Sequence, residues 1–116
     1  TNQSGIARGL YSIEEVNTLH RLINSDLIKH GTKIDDFFIS PSHPDFKNKF
    51  SHLFNLRKPE TGMLDLAFKK WKFDKENSFL LGDKFTDIEC AEKFGIKGYL
   101  YEDGNLFTFL KSIRQF

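Results

Sequence analysis

The stretch SFLLGDKFTDIECAEKFGIKGYLY, residues 78–101, is the part of this 116-residue chain that decides the fold class. Its first apolar run, residues 78–81, is typical of a short buried strand. TDIECAEKFG, residues 86–95, predicts a helix, because a capping residue stands at its start and Gly95 can turn the backbone left-handed at its end. KGYLY then predicts a second strand. A strand, a helix and a strand joined this closely indicate a parallel pair covered by a helix.

Upstream of this stretch the sequence predicts a long helix, a short strand and a loop. Ser12, with Glu15 three residues later, forms a capping box, and apolar residues then recur at helical spacing up to Gly31. Residues 37–39 are too few for a helix and rich in strand formers, so they predict a buried strand. Residues 40–57 contain prolines and lack a clear periodicity, so we expect a long surface loop there.

Two further helices complete the predicted order. One follows Pro59 and Thr61, and it presents one apolar face formed by Met63, Leu64, Ala67, Phe68 and Trp71. The other covers residues 106–113. Because strands and helices alternate with short connections, we predict one α/β domain, residues 1–116, with a parallel sheet flanked by helices. Ligands bind such a sheet at the carboxyl ends of its strands.

Composition limits the kinds of function. The chain is 39% hydrophobic and 28% charged, with a net charge of +1 spread along its length, so no basic surface for nucleic acid is indicated. No apolar run of about 18 residues predicts a membrane span. The single cysteine, Cys90, rules out an intramolecular disulfide framework and fits a reducing compartment, so we expect a cytoplasmic protein.

Three short polar segments stand where this architecture would bring them to one crevice. They are Thr1-Asn2-Gln3-Ser4, Arg57-Lys58-Pro59 and Gly82-Asp83-Lys84. Backbone amides and a hydroxyl suit phosphate oxygens, a lysine supplies a point positive charge, and a carboxylate is a hard ligand for Mg²⁺. Each segment alone has an ordinary explanation as a turn, a surface lysine or a strand end. Together they predict a site for phosphoryl transfer.

Three stretches, TNQSGIARG (1–9), RKPETGML (57–64) and LLGDKFTDIECAEKFGI (80–96), resemble in sequence and order the motifs of phosphatases of the haloacid dehalogenase (HAD) superfamily. The resemblance spans nearly the whole chain and implies a Rossmann-like HAD fold. Within the superfamily it is strongest to heptose 1,7-bisphosphate phosphatases, which implies a small phosphorylated sugar as substrate. Histidinol-phosphate phosphatases follow, and the ending TDIECAEKFGIKGYLY favours them. Polynucleotide 3′-phosphatases are less similar.

The resemblance implies roles at the phosphoryl group. Thr1 and Asn2 would hold the transferring group, while Gln3 and Ser4 would line the substrate site. Lys58 would neutralise charge on the phosphoryl oxygens and on the attacking carboxylate. The implied reaction is attack by an aspartate on phosphorus, giving an aspartyl-phosphate that water hydrolyses.

The resemblance also implies contacts to substrate and metal. Arg57 and Lys84 would contact substrate, and Asp83 would bind Mg²⁺. Asp87 would orient the groups around the metal or bind it directly. An acid in the first turn of a helix is also stabilised by the helix dipole whatever its function, so both interpretations of Asp87 stay open.

The chain departs from the family at the nucleophile. The family carries it in an Asp-x-Asp pair at the end of the first strand, ahead of the TNQ motif, and no such pair occurs here. Asp35-Asp36 precedes an apolar run, and Asp74 is isolated. We therefore expect the first strand and the nucleophile to lie upstream, and the chain as given to be inactive. The alternative is a binding module that keeps the fold without catalysis.

A second departure concerns zinc. The resembling heptose and histidinol enzymes typically clamp the long loop with a metal held by Cys-x-His and Cys-x-Cys pairs. Those positions are Ser40, Ser42, Phe54 and Leu56 here, and none is a usual zinc ligand. We expect no zinc, and a loop that is either more mobile or held by its own apolar residues, Phe46, Phe50, Leu53 and Phe54.

Overall fold

The structure is a computed structural model that describes residues 1–113, so the last three residues of the predicted domain lie outside the described part. Its elements in chain order are α1 (Ile13–Lys29), a 3₁₀ helix (Ser51–Leu56), α2 (Gly62–Trp71), β1 (Phe79–Gly82), α3 (Phe85–Phe94), β2 (Lys97–Leu100) and α4 (Leu106–Ile113). Within residues 1–113 no helix is long and apolar enough to cross a membrane.

The predicted strand, helix and strand unit is confirmed. β1 and β2 pair in parallel, with Leu81 opposite Tyr99. Helix α3 packs on both strands, and its buried side with Ile96 forms the core together with partly buried apolar residues, Leu64, Phe68, Phe73 and Leu80. Gly98 lets the helix come this close, since a Cβ added there would lie 3.0 Å from the Ala91 side chain.

The cap of helix α3 lies two residues earlier than predicted. Thr86 was expected to cap it, but the N-cap position is Lys84, whose N–H donates to Asp87 Oδ2 at 3.1 Å. The third residue of the helix thus accepts from the N-cap backbone, as the acid of a capping box does. The predicted end is confirmed, because Gly95 has a φ of +91° and donates to Ala91 O at 2.9 Å.

Helix α1 begins as predicted, since Ser12 Oγ accepts from Glu15 N at 3.1 Å. Only part of its apolar face is covered. Val16 and His20 are buried, whereas Leu19 and Ile23 are exposed. His20 stacks on Phe37 with ring centroids 4.1 Å apart. This contact fixes the helix to the extended segment, residues 32–39, that follows it.

The buried strand predicted at residues 37–39 is wrong. Over the described residues this segment forms no ladder, and one parallel bridge joins Asn2 to Ser40. Ser40 N donates to Thr1 O at 2.9 Å, and Gln3 N donates to Ser40 O at 2.8 Å. Residues 1–3 are too short to make a strand partner. The local β-propensity of Phe-Phe-Ile therefore has no neighbour with which to form a ladder.

Helix α2 follows Thr61 as predicted, but Trp71 does not share its buried face. The indole is 49% exposed and its Nε1 donates to Asp36 Oδ2 at 2.8 Å. Lys70 Nζ lies 2.6 Å from the same oxygen. Hydrogen bonds from Lys70 and then from Trp71 lower the pKa of Asp36. These contacts tie the end of α2 to the extended segment.

The loop of residues 40–57 is more ordered than predicted. It contains the 3₁₀ helix, and Ser40 and Ser42 near its start are buried. Of the four apolar side chains expected to hold it, Phe46 and Phe54 are exposed, whereas Phe50 and Leu53 are half-buried. The prediction is therefore wrong for Phe46 and Phe54. Backbone and side-chain hydrogen bonds to residues 1–9 also hold the loop.

Candidate active site

A cavity of about 360 Å³ lies where the three polar segments meet. Asp83 and Lys84 reach it directly after the carboxyl end of β1, and the first turn of α3 follows them. The segment between the 3₁₀ helix and α2 brings Arg57 and Lys58, and the opening turn, residues 1–9, brings the rest. Its lining is Thr1, Asn2, Ser4, Arg57, Lys58, Asp83, Lys84, Thr86 and Asp87. The segments are brought together as the sequence predicted, while the chemical role of each residue stays a prediction.

Gln3 is absent from this lining, contrary to expectation. Its Oε1 accepts from the Tyr11 hydroxyl at 2.6 Å, and its Nε2 donates to Thr1 Oγ1 at 3.1 Å. Both ends of the amide are therefore used within the protein. Gln3 supports the Thr1 side chain from behind and does not face a ligand.

Asn2 supports Lys58. Asn2 Oδ1 accepts from Lys58 N at 3.0 Å, and Asn2 Nδ2 donates to Lys58 O at 3.3 Å. This pair of hydrogen bonds joins the opening turn to the segment that precedes α2, next to the cis Lys58-Pro59 peptide bond. The side-chain amide of Asn2 is thus committed to the Lys58 backbone. Asn2 also lines the cavity, and its contact with a phosphoryl group stays a prediction.

The ammonium of Lys58 forms an ion pair with Asp87 Oδ1. The two side chains are 21% and 5% exposed, so the pair is largely withdrawn from water. The other carboxylate oxygen of Asp87 accepts the Lys84 N–H. Both oxygens of Asp87 are therefore engaged by the protein, which fits the positioning role, and direct metal binding stays the alternative prediction.

Gly82 makes this arrangement possible. A Cβ added at Gly82 would overlap the Asp87 carboxyl group. The last residue of β1 must therefore be glycine for α3 to place its acid beside Lys58. The glycine before Asp83 in the sequence thus reflects a close approach between strand and helix, which no local pattern reveals.

Asp83 remains available for a cation. It is exposed, it lines the cavity, and the structure gives its carboxylate no hydrogen bond or ion pair. Among residues 1–113 no group of three or more His, Cys, Asp or Glu side chains is placed to hold a metal. Magnesium usually keeps several waters and takes one or two carboxylates from a protein, so a single free Asp83 fits a partial Mg²⁺ site.

The cavity carries three cationic groups, from Arg57, Lys58 and Lys84, and two acids, Asp83 and Asp87. Arg57 Nη1 is buried without a hydrogen-bond partner within the described range. A buried guanidinium donor without a partner is unfavourable unless a ligand accepts from it. With one acid already neutralised by Lys58, the remaining positive charge favours an anionic ligand.

The sequence analysis missed Thr86. Its hydroxyl-bearing side chain lines the cavity from the first turn of α3, three residues after Asp83. Helix N-termini present free N–H groups and positive potential to anions. The signal was available, because any polar residue in the first turn of a helix that follows β1 must lie near the carboxyl edge of the sheet.

Residues 55–107 match a protein-family model described as HAD-hydrolase-like. This part of the chain is therefore similar to HAD-like hydrolases. Together with the parallel unit and the solved structure described below, the match shows that the chain has a HAD-like fold.

Two curated relatives are heptose bisphosphate phosphatases. The chain is 39% identical over 119 residues to the D-glycero-beta-D-manno-heptose-1,7-bisphosphate 7-phosphatase of Rhodopseudomonas palustris, with 97% of this chain and 63% of the relative covered. It is 41% identical to the alpha-heptose counterpart from Photorhabdus laumondii, with 83% of this chain and 53% of the relative covered. The chain therefore spans just over half to under two thirds of these relatives.

A solved structure agrees with these matches. The D,D-heptose 1,7-bisphosphate phosphatase from B. bronchiseptica, complexed with magnesium and phosphate, superposes with a TM-score of 0.76 at 29% identity. The superposition covers 97% of this chain and 59% of that protein. The fold predicted from the three motifs is confirmed by this similarity.

Proposed function

We propose that the protein carrying this chain is a phosphatase that hydrolyses the phosphate monoester of a small phosphorylated metabolite. The observation that carries this proposal is the fixed ammonium of Lys58, held by Asn2 and Asp87 in a cavity that also presents Arg57 and Asp83. Charge neutralisation is the main protein contribution to phosphoryl transfer. The named relatives and the solved structure, all phosphatases, support the same reaction.

Five of the lining residues have a direct task in this proposal. The Thr1 hydroxyl and the first N–H groups of α3 bind phosphoryl oxygens, and the Lys58 ammonium neutralises the charge on them. Arg57 and Lys84 bind the remainder of the substrate. Asp83 would hold Mg²⁺, which would supply further charge neutralisation, and the magnesium complex of the B. bronchiseptica protein supports this role.

The substrate we propose is a heptose 1,7-bisphosphate, because both curated relatives and the solved structure carry that name. Histidinol phosphate is the second candidate, favoured by the sequence around α3 and β2. A polynucleotide 3′-phosphate is the third. A binding module without catalysis stays open as well, because no Asp-x-Asp pair occurs in these 116 residues.

The test is steady-state kinetics of the full-length protein with these three substrates and Mg²⁺. We expect the heptose bisphosphate to give the highest kcat/KM. Lys58→Gln should lower that value by about 10³-fold, comparable with removing a fixed donor from a transition-state site.

Lys69→Gln is the matched control, because Lys69 is an exposed lysine of α2, the helix that follows Lys58. It should change kcat/KM by less than about twofold. Urea denaturation of each variant separates loss of fold from loss of charge. Full activity of folded Lys58→Gln protein would contradict the proposed function.

A further inference from the structure

The loop of residues 40–57 is hydrogen-bonded to the opening turn at both of its ends. At its start, Ala7 N donates to Pro41 O at 3.1 Å. At its end, Asn2 brackets the backbone of Lys58 through both ends of its side-chain amide. The turn therefore supports a loop that leads to part of the lining of the candidate active site.

Asn48 holds the middle of this loop to the same turn. Its Nδ2 donates to Ala7 O at 2.9 Å, across 41 residues of sequence, and the bond is partly buried. Its Oδ1 accepts from Phe50 N at 3.0 Å. Its backbone N–H donates to Ser51 Oγ at 2.9 Å, and its carbonyl accepts from Ser51 N at 3.1 Å. One residue thus organises the start of the 3₁₀ helix and fastens it to the turn.

The 3₁₀ helix leads directly into the cavity wall. It spans Ser51–Leu56, and Arg57 N donates to Phe54 O at 3.2 Å where it ends. Arg57 lines the candidate active site and also a neighbouring cavity of about 420 Å³, which Phe54 lines as well. A shift at the start of this short segment would therefore be passed along its hydrogen-bonded backbone to both side chains.

We propose that Asn48 is a positioning residue, which sets the place of Arg57 and Phe54 by fastening the 3₁₀ helix to the Ala7 carbonyl. The inference rests on the proposed function only for its effect on kinetics. Asparagine suits the task because a short amide offers a donor to Ala7 O and an acceptor to Phe50 N at once. Aspartate keeps only the acceptor, and alanine keeps neither.

The hydrogen bond from Asn48 to Ala7 O restrains the middle of the loop. Ser40, Ser42, Phe54 and Leu56, at which the family resemblance puts metal ligands, are not usual zinc ligands. A partly buried hydrogen bond that closes a long loop restricts it at its centre, where the backbone bonds at its two ends do not reach. Asn48 is the side chain in the described loop that makes such a central cross-link.

The test compares Asn48→Ala and Asn48→Asp with a matched control, Asn55→Ala, in the full-length protein. Asn55 is an exposed asparagine of the same loop whose side chain makes no cross-link in the structure. Hydrogen exchange of residues 46–52 should be about tenfold faster in Asn48→Ala, which loses the partly buried bond to Ala7 O and the exposed bond from Phe50 N, and unchanged in Asn55→Ala. Asn48→Asp should also exchange faster, because it lacks the donor to Ala7 O.

Kinetics give the second measurement. With the heptose bisphosphate we expect Asn48→Ala to raise KM by about tenfold with kcat within about threefold, since substrate contacts move while Lys58 stays bracketed by Asn2. Equal exchange in Asn48→Ala and Asn55→Ala would overturn the proposal, and so would faster exchange with unchanged KM. Faster exchange in a protein that lacks phosphatase activity in every form would support the loop contact and refute the proposed function instead.

Discussion

At the scale of single residues, Lys58 is fixed before any ligand arrives. Asn2 holds its backbone, and Asp87 holds its ammonium. Asp87 is itself held by the Lys84 N–H and accommodated by the missing side chain of Gly82. A positive charge placed in advance costs little reorganisation when charge develops on a bound phosphoryl group, which is how such sites act.

Asp83→Asn should abolish metal-dependent turnover in the full-length protein, by on the order of 10²-fold or more, because it removes formal charge from a hard-cation site. The fold should be unaffected, since Asp83 makes no contact that stabilises its surroundings. Kinetics over a Mg²⁺ series measure the effect. Asp103→Asn, at an exposed acid after β2, is the control and should behave as the parent does. Full turnover by the Asp83 variant would refute the metal assignment.

Asp87→Ala should lower the free energy of unfolding by about 3 kcal/mol, because it leaves the part-buried ammonium of Lys58 without its partner. Urea denaturation gives the value. Glu89→Ala, at an exposed acid of the same helix, should change it by less than about 0.5 kcal/mol. Similar effects of the two substitutions would show that the ion pair contributes nothing specific.

At the scale of elements, the end of α2 and the extended segment before the loop are joined through one carboxylate. Asp36 takes hydrogen bonds from Lys70 and Trp71, and its own Oδ1 accepts from Phe37 N at 2.9 Å. Where no ladder forms, these polar contacts and the stacking of His20 on Phe37 hold the segment in place.

The Asp36 contacts predict a pH dependence of stability. The folded protein holds the pKa of Asp36 below its ordinary 3.8, so the contribution is present above the unfolded value and is lost as pH falls through the lowered folded value. Asp36→Asn should therefore lower the Tm at pH 6, and the difference from the parent should shrink below pH 4. Thermal unfolding across this range tests it. Asp35→Asn, at the exposed neighbour, should show no such trend.

The loop of residues 40–57 is predicted to bind no zinc. The positions at which zinc ligands would stand offer hydroxyl and hydrocarbon side chains, which are not usual zinc ligands. Elemental analysis of protein purified without added metal should find far less than one zinc per chain. Stoichiometric zinc that is lost on mutation of His43 and His52 would contradict this expectation.

At the scale of the whole molecule, the described residues build one cavity from separate elements. The two-stranded parallel sheet and α3 place Asp83, Lys84 and Thr86 at it, and the opening turn and the segment before α2 place Thr1 and Lys58 there. Apolar side chains of α1 and α4, such as Leu22 and Phe107, remain exposed.

The 116-residue polypeptide by itself is predicted to show no phosphatase activity, because neither carboxylate in the cavity is placed as a nucleophile. Asp87 is paired with Lys58, and Asp83 is the acid that suits a metal. The assay compares this polypeptide with the protein extended upstream, using Mg²⁺ and the same panel of phosphates. Equal turnover by the two would show that the nucleophile lies within these residues and that the assignment of motifs is wrong.

Sequence alone determined the parts of this protein whose causes are local. Ser12 and Gly95 mark helix ends through hydrogen bonds and backbone angles within a few residues, so α1 and α3 were predictable apart from a shift of two residues in the cap of α3. The order of the three motifs predicted the HAD-like fold for a similar reason, because each motif is read from consecutive residues.

Only the tertiary structure decided the features that depend on distant partners. The Phe-Phe-Ile segment has the propensity of a strand, but a ladder needs a neighbour, and Thr1 to Gln3 offer one bridge. Asn2, Gln3 and Asp87 looked alike in sequence as polar site residues. In the structure the Asn2 side chain bonds to Lys58, and the Gln3 side chain bonds to Tyr11 and Thr1. The Asp87 carboxylate bonds to Lys58 and Lys84. Hydrogen-bond partners far apart in sequence are set by packing, which local patterns do not encode.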